Sequence, residues 1–277
     1  MPISRKSPPR KPAAKRSASA QRPSLKAKRR QSKRPAGAIQ AKSGRATSKF
    51  KPVRPAPLGM RDAVNPARVT AILDGLGAAY PGAECALIHH NAWQLLVATI
   101  LSAQCTDARV NKVTPLLFGK YPGVEAIAAL TPQQLEPEIR TTGFFRNKAK
   151  SIVGAAHRIV EVYHGRVPDD MEALLTLPGV ARKTANVVLG VWFKKATGVV
   201  VDTHVLRVSR RLQLTREIAP EKIEKDLQHL IPNHQWIAFS HRVITHGRQC
   251  CTARAPKCSA CPIEPLCHAP DKTFTTV

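Results

Sequence analysis

An all-α protein is predicted by three features of the sequence. Apolar residues recur at helical spacing, proline and cap residues stand at the heads of the apolar segments, and only one short stretch is rich in β-branched residues. That stretch, Gly198 to Val205, holds three consecutive valines but has no second strand to pair with. It is therefore read as an extended connection into a helix opening at Thr203 or His204. No internal repeat is present.

Taken in order, Asn65-Pro66 is a cap followed by proline at the first helical position, with Val69, Ile72, Leu73 and Leu76 on one face. A nearly all-apolar helix follows from about Ala92 to Ala103, which suits a central buried element. Thr131-Pro132 opens another helix. Ile152, Ala156, Ile159, Val160 and Tyr163 mark an amphipathic helix that ends near Gly165. Asp169-Asp170 caps a short helix through Met171, Leu174 and Leu175, and Ala185, Val188, Leu189 and Trp192 trace the apolar face of the next. Pro220 to Ile231 forms a further helix with Ile223, Leu227, Leu230 and Ile231 turned inward.

Charge separates a tail from a body. The chain of 277 residues carries 44 Lys and Arg against 18 Asp and Glu, a net +26. Met1 to Met60 holds 18 of the basic residues and no acid, leaving +8 for the rest. Lysine and arginine interleaved with proline, serine and alanine cannot build a core, so residues 1–60 are expected to be a disordered basic tail. Such a tail suits sequence-blind binding to a polyanion, or a solvated leader, or a targeting segment. No apolar run approaches the ~18 residues of a membrane span, since the longest is broken by Gln94 and Thr99. No apolar segment follows the N-terminal charges, so no secretory signal is expected. Seven cysteines without that signal argue for a metal site or free thiols over a disulfide framework. The expected partner is nucleic acid, and no membrane is involved.

The most informative stretch is Leu177-Pro178-Gly179-Val180-Ala181-Arg182-Lys183-Thr184-Ala185. Helix, Pro-Gly turn, helix is a helix-hairpin-helix. Gly179 lets the turn reach positive φ, and the following helix begins with free N–H groups. Gly179, Val180, Ala181 and Arg182 thereby form a phosphate seat that reads no bases. Lys183 stands where the helix dipole favours anions; beside Arg182, and partly buried, its amine would be pushed toward a nucleophilic form. A plain phosphate contact would explain the same lysine. Asp202, in Val201-Asp202-Thr203-His204, is either a partner acid for that amine or an N-cap. Near the C-terminus, Cys251, Cys258, Cys261 and Cys267 follow a C-x6-C-x2-C-x5-C pattern that can wrap one metal centre, Zn²⁺ or [4Fe–4S] alike. Cys85 and Cys105 fall outside it and are read as buried thiols.

Together the hairpin, the Val-Asp-Thr-His segment and the cysteine spacing resemble the endonuclease III family of DNA glycosylases in its bacterial form, from about Asp62 to Cys267. The resemblance implies a bifunctional enzyme of base excision repair that removes damaged bases, oxidised pyrimidines in particular, from double-stranded DNA and cuts at abasic sites. It implies Lys183 as the nucleophile, Asp202 as the catalytic aspartate, and a [4Fe–4S] cluster on Cys251, Cys258, Cys261 and Cys267, with that register preferring Cys251 to Cys250. It also implies nucleotide flipping. Gln104, in Ser102-Ala103-Gln104-Cys105, occupies the place of the residue that enters the vacated gap, although a polar helix terminus would read the same. Phe144, in Thr142-Gly143-Phe144-Phe145, takes the place of an apolar wedge, with core packing as the other reading. One departure is Ala181, where the family's turn usually has a second glycine; a slightly altered phosphate seat is expected.

The implied architecture is two helical lobes flanking a DNA cleft. Residues 85–196 would form the hairpin lobe, and residues 61–84 with 197–277 the iron–sulfur lobe. A monomer acting in the bacterial cytoplasm at the nucleoid is expected, or in the nucleus or mitochondrion of a eukaryote. An adenine glycosylase would carry an acid between Ala98 and Thr106, and none is there. A non-catalytic DNA-binding protein would leave Lys183 and Asp202 unexplained.

Overall fold

The computed structural model describes residues 64–274. The segment 1–60, read above as a basic tail, lies outside the described residues, as does Asp62. Every regular element among the described residues is helical. No helix there is long and apolar enough to cross a membrane.

Helix α1 (Pro66–Ala79) starts as its sequence dictates: Asn65 Oδ1 accepts the Ala67 N–H at 2.9 Å, and Val69, Ile72, Leu73 and Leu76 are buried. In α2 (Ala92–Ser102), Asn91 caps by accepting from Gln94 N–H at 2.8 Å. Leu95, Leu96, Val97, Ala98 and Leu101 have no exposed surface, so this helix is enclosed on every side. Helices α3 (Asp107–Lys120) and α4 (Val124–Ala128) have no counterpart in the sequence reading. Pro115 sits inside α3, where proline costs about 3 kcal/mol, and the packing of Val110, Val113 and Leu117 outweighs it. Helix α5 (Pro132–Ile139) begins with a complete capping box between Thr131 and Gln134.

Helix α6 (Phe145–Tyr163) begins well before the predicted Ile152 and ends through His164 and Gly165 at φ of 51° and 78°. The hairpin is α7 (Met171–Leu175), capped by Asp170, and α8 (Arg182–Val191). Trp192, read above as part of the apolar face of α8, instead ends that helix and is 39% exposed. Helix α9 (Thr203–Arg211) opens at Thr203 as predicted. The valines before it form no strand: Val199 and Val201 are buried, and the Val200 N–H donates to Ser240 Oγ at 3.1 Å. Helices α10 (Pro220–Leu230) and α11 (Trp236–Gln249) complete the set, and α11 was not read from the sequence. Two 3-10 turns, Cys258–Ala260 and Glu264–Leu266, carry the cysteine segment.

The described residues build two apolar cores. One joins α2 to α8, from Leu87 to Leu189. The other joins α1 to α9, α10 and α11 and includes Ile263. Cys85 and Cys105 pack against the first core but are only half-buried, not the buried thiols expected.

Candidate active site and cysteine cavity

The hairpin turn is set by contacts with α6. Gly179 has φ of +76°, and a Cβ there would collide with Ser151 Cβ and lie 2.6 Å from its Oγ. Pro178 seats against Gly154, whose Cβ position is 3.2 Å from Pro178 Cγ. Gly179→Ala is therefore expected to cost about 1–2 kcal/mol for the left-handed backbone alone, with the Ser151 clash added. The check is thermal unfolding alongside DNA affinity, and an unchanged melting temperature would contradict this account.

Val180 is 7% exposed and its N–H donates to Leu177 O at 3.1 Å, so it anchors the turn to the core. Ala181 has φ of −92°, which any residue adopts, so alanine at this place strains nothing. No side chain caps α8. Its first helical bond runs from Ala185 N–H to Ala181 O at 3.0 Å, leaving the N–H groups of Arg182, Lys183 and Thr184 ahead of the ladder. An exposed helix end of this kind, with its partial positive charge, can seat a phosphate.

A buried carboxylate ties this helix to the second core. Glu224 on α10 accepts from Asn186 Nδ2 at 3.0 Å and from Arg182 Nε at 3.4 Å. Asn186 Oδ1 in turn accepts from Thr197 Oγ1 at 3.0 Å. Further along α8, Gly190 packs on Ile237 of α11. Neither Glu224 nor Asn186 was found from the sequence, because a buried polar pair 38 residues apart has no local pattern.

Lys183 lies exposed on the first turn of α8, not partly buried as expected, and no ion pair holds it among the described residues. The charge of Arg182 beside it is shared with Glu224. Asp202 is the N-cap of α9: Oδ1 accepts from both His204 N–H and Val205 N–H at 2.8 Å. The cap uses one oxygen and leaves Oδ2 outside it, so a fixed carboxylate is compatible with a second task. Lys183 and Asp202 are not in ion-pair contact. The two helices that carry them both pack on α11.

Gln104 and Phe144 share an unusual backbone. Both are exposed and both have positive φ, 52° and 48°. For phenylalanine that conformation is a genuine outlier, and strain of this kind gathers at functional loops. Phe144 is 64% exposed, which removes core packing as its explanation. An ion pair from Asp107 to Arg248 at 2.6 Å connects the start of α3, just past Gln104, to the end of α11. It is partly exposed, so its contribution is about 0–1 kcal/mol.

Cys251, Cys258, Cys261 and Cys267 line one cavity together with Cys250, Arg211 and His246. The five cysteines are free thiols. Burial pushes the Cys261 thiol up to about 12 and also raises Cys250 and Cys251. Burial, with Arg207 second, draws His246 down to about 4. Such thiols release their protons to solvent when a metal centre binds and replaces the lost positive charge. Four sulfurs on one zinc ion would crowd to within about 4 Å of each other at Zn–S bonds of ~2.3 Å. Among the described residues, the group that meets within 4.8 Å is His246, Cys250 and Cys261, and no three of the four spaced cysteines do. Arg207 donates to Gly247 O at 2.8 Å and to Cys251 O at 2.9 Å. Arg211 Nε is buried without a hydrogen-bond partner at the cavity wall, a donor suited to an anionic cluster.

Residues 97–233 match the HhH-GPD superfamily of base excision DNA repair proteins. The chain is 57% identical to the endonuclease III of Synechocystis sp., over 72% of this chain and 91% of the relative. Identity to the endonuclease III of Bacillus subtilis is 44%, over 76% of this chain and 95% of the relative. A solved structure of a trapped covalent intermediate between an endonuclease III and DNA, an estranged-adenine complex, is similar with a TM-score of 0.71. Its identity is 43%, covering 74% of this chain and 96% of that one.

Proposed function

The chain belongs to the endonuclease III family of base excision repair proteins, and from that premise we propose that Lys183 is the nucleophile of a bifunctional DNA glycosylase and abasic-site lyase. It acts on double-stranded DNA containing damaged bases or abasic sites, and oxidised pyrimidines are the proposed lesions. The observation that carries the assignment is Lys183 on the open first turn of the hairpin helix, beside unbonded N–H groups that can hold the strand.

In the proposed reaction the hairpin end of α8 binds backbone phosphate and the damaged nucleotide leaves the stack. The Lys183 amine attacks C1′; the glycosidic bond breaks and the base leaves with its electron pair, taking up a proton. Ring opening yields a protonated Schiff base. Loss of a C2′ proton then expels the 3′ phosphate by β-elimination, and water releases the lysine. Asp202 stabilises positive charge on the sugar and manages protons, with its position fixed by the α9 cap. Gln104 enters the gap left by the flipped nucleotide and Phe144 wedges between bases; their exposure and left-handed backbones support this.

Cys251, Cys258, Cys261 and Cys267 would hold a [4Fe–4S] cluster, with Arg207 and Arg211 beside it. When bound, the cluster supplies iron–thiolate bonds that cross-link the C-terminal segment internally, and that segment packs on the second core through Ile263. Two domains are proposed, residues 85–196 and residues 61–84 with 197–277, supported by the two apolar cores. The bacterial cytoplasm is the proposed setting, in keeping with the bacterial relatives.

The test uses a duplex with one oxidised pyrimidine. The intact protein should cut the strand and, with borohydride present, become covalently attached to it. Absence of the adduct would remove the Schiff-base mechanism. Deleting residues 1–60 should weaken DNA binding at low salt yet leave single-turnover cleavage unchanged, because the tail's charge acts only through screened phosphate attraction. Loss of the chemical step in that deletion would show that the tail takes part in the reaction.

A further inference from the structure

Lys148, on the second turn of α6, is 5% exposed and has no carboxylate partner among the described residues. Its Nζ donates to Leu101 O and to Thr142 O, each at 2.8 Å. Both acceptors are orphan carbonyls at helix ends. Leu101 is in the last turn of α2, and the Cys105 N–H that would normally serve it donates to Ser102 O at 3.0 Å. Thr142 closes the 3-10 turn Arg140–Thr142. An ammonium at this place satisfies a free carbonyl from the end of α2 and one from the 3-10 turn, and meets the negative end of the α2 dipole.

Just past each of these ends the chain turns left-handed. Beyond Leu101 stands Gln104, and beyond Thr142 stand Gly143 (φ of 70°) and Phe144. Two strained, exposed residues from separate segments are thus anchored on one buried nitrogen. Burial lowers the Lys148 pKa, and the same burial makes its two hydrogen bonds costly to lose.

We propose that Lys148 is a positioning residue that fixes the Gln104 and Phe144 loops relative to each other, so that both side chains enter the duplex together when a nucleotide is flipped. This rests on the reading of Gln104 and Phe144 given above. Lys148 is too buried to touch DNA and acts through the two loops. Its sequence distance from Leu101, 47 residues, hides the link from any local pattern.

The test separates duplex work from chemistry. A single-stranded abasic oligonucleotide has no gap to fill, so its borohydride trapping reports the amine without the loops. Lys148→Met keeps the side-chain length and removes the donors. It should slow single-turnover excision from a duplex roughly ten- to hundred-fold while changing single-strand trapping by less than about twofold, the size of effect that a misplacement near 1 Å produces. Gln104→Ala and Phe144→Ala should show the same selective loss. If those two variants excise normally, the reading of the loops is wrong. If they are impaired and Lys148→Met is not, the positioning role is wrong. Equal loss on duplex and single strand would likewise overturn it, as the mark of a purely structural residue. Should Lys148→Met not fold, Lys148→Gln keeps an uncharged amide donor group on a shorter side chain and is expected to fall between wild type and the loop variants on duplex alone. A wild-type duplex rate in Lys148→Gln would refute the proposal.

Discussion

Lys183→Ala is expected to give no borohydride adduct and to lower single-turnover cleavage at least about 10³-fold, because a covalent route disappears with its nucleophile. The fold should be unaffected, since the side chain is exposed and makes no ion pair among the described residues. Melting temperature should therefore stay near wild type while chemistry is lost. Asp202→Asn is the companion measurement. Asparagine caps a helix as well as aspartate does, so the two N–H bonds at the start of α9 survive and only the charge goes. A drop of about 10²–10³-fold in rate with an unchanged melting temperature would assign the carboxylate to catalysis. An Asp202→Asn enzyme as fast as wild type would leave Asp202 a cap and nothing more.

Loss of the cysteine-bound centre is the second large effect. Holo protein should absorb broadly near ~400 nm, as thiolate-ligated iron–sulfur centres do. Cys258→Ser or Cys261→Ser should remove that absorbance and destabilise the second core by several kcal/mol, on the order of the folding energy that structural metal centres supply. The segment from Cys251 onward has only short 3-10 turns and few buried residues, Ile263 and Ala269 among them. It should become protease-sensitive, while the core of α2 to α8 resists. Cys250→Ser should keep the absorbance if Cys251 is the first ligand. A colourless, zinc-loaded preparation would overturn the cluster, and loss of colour in Cys250→Ser would move the ligand by one residue. The close meeting of Cys250 with His246 and Cys261 makes that control informative.

Much of this molecule is legible locally. The caps Asn65, Thr131 and Asp170 each do what their residue type predicts within three positions of themselves. The Pro-Gly turn reaches positive φ where a glycine stands. Helix α3 was not legible, because Pro115 and a polar composition mask a helix that burial against the first core stabilises. Helix α11 was missed although it underlies both α8 and α9. Its buried residues are Phe239, Ser240, Val243, His246 and Gly247, a face too polar to stand out as an apolar stripe.

The sequence alone determined an all-helical body, its main helix starts, the hairpin and the four spaced cysteines, since each depends on residues close together in the chain. It also singled out Lys183 and Asp202. Only the tertiary structure decided that Lys183 is exposed, that Asp202 is held by a cap using one oxygen, and that Phe144 faces solvent in a strained conformation. Only it revealed Glu224 beneath the hairpin helix and Lys148 between the two loops. The physical reason is the reach of the interactions. Capping and turn chemistry act over two to four residues and leave a pattern. A buried charge is placed by whichever distant carbonyls or amides the packed chain leaves unsatisfied, and that partner is defined only once the cores have formed.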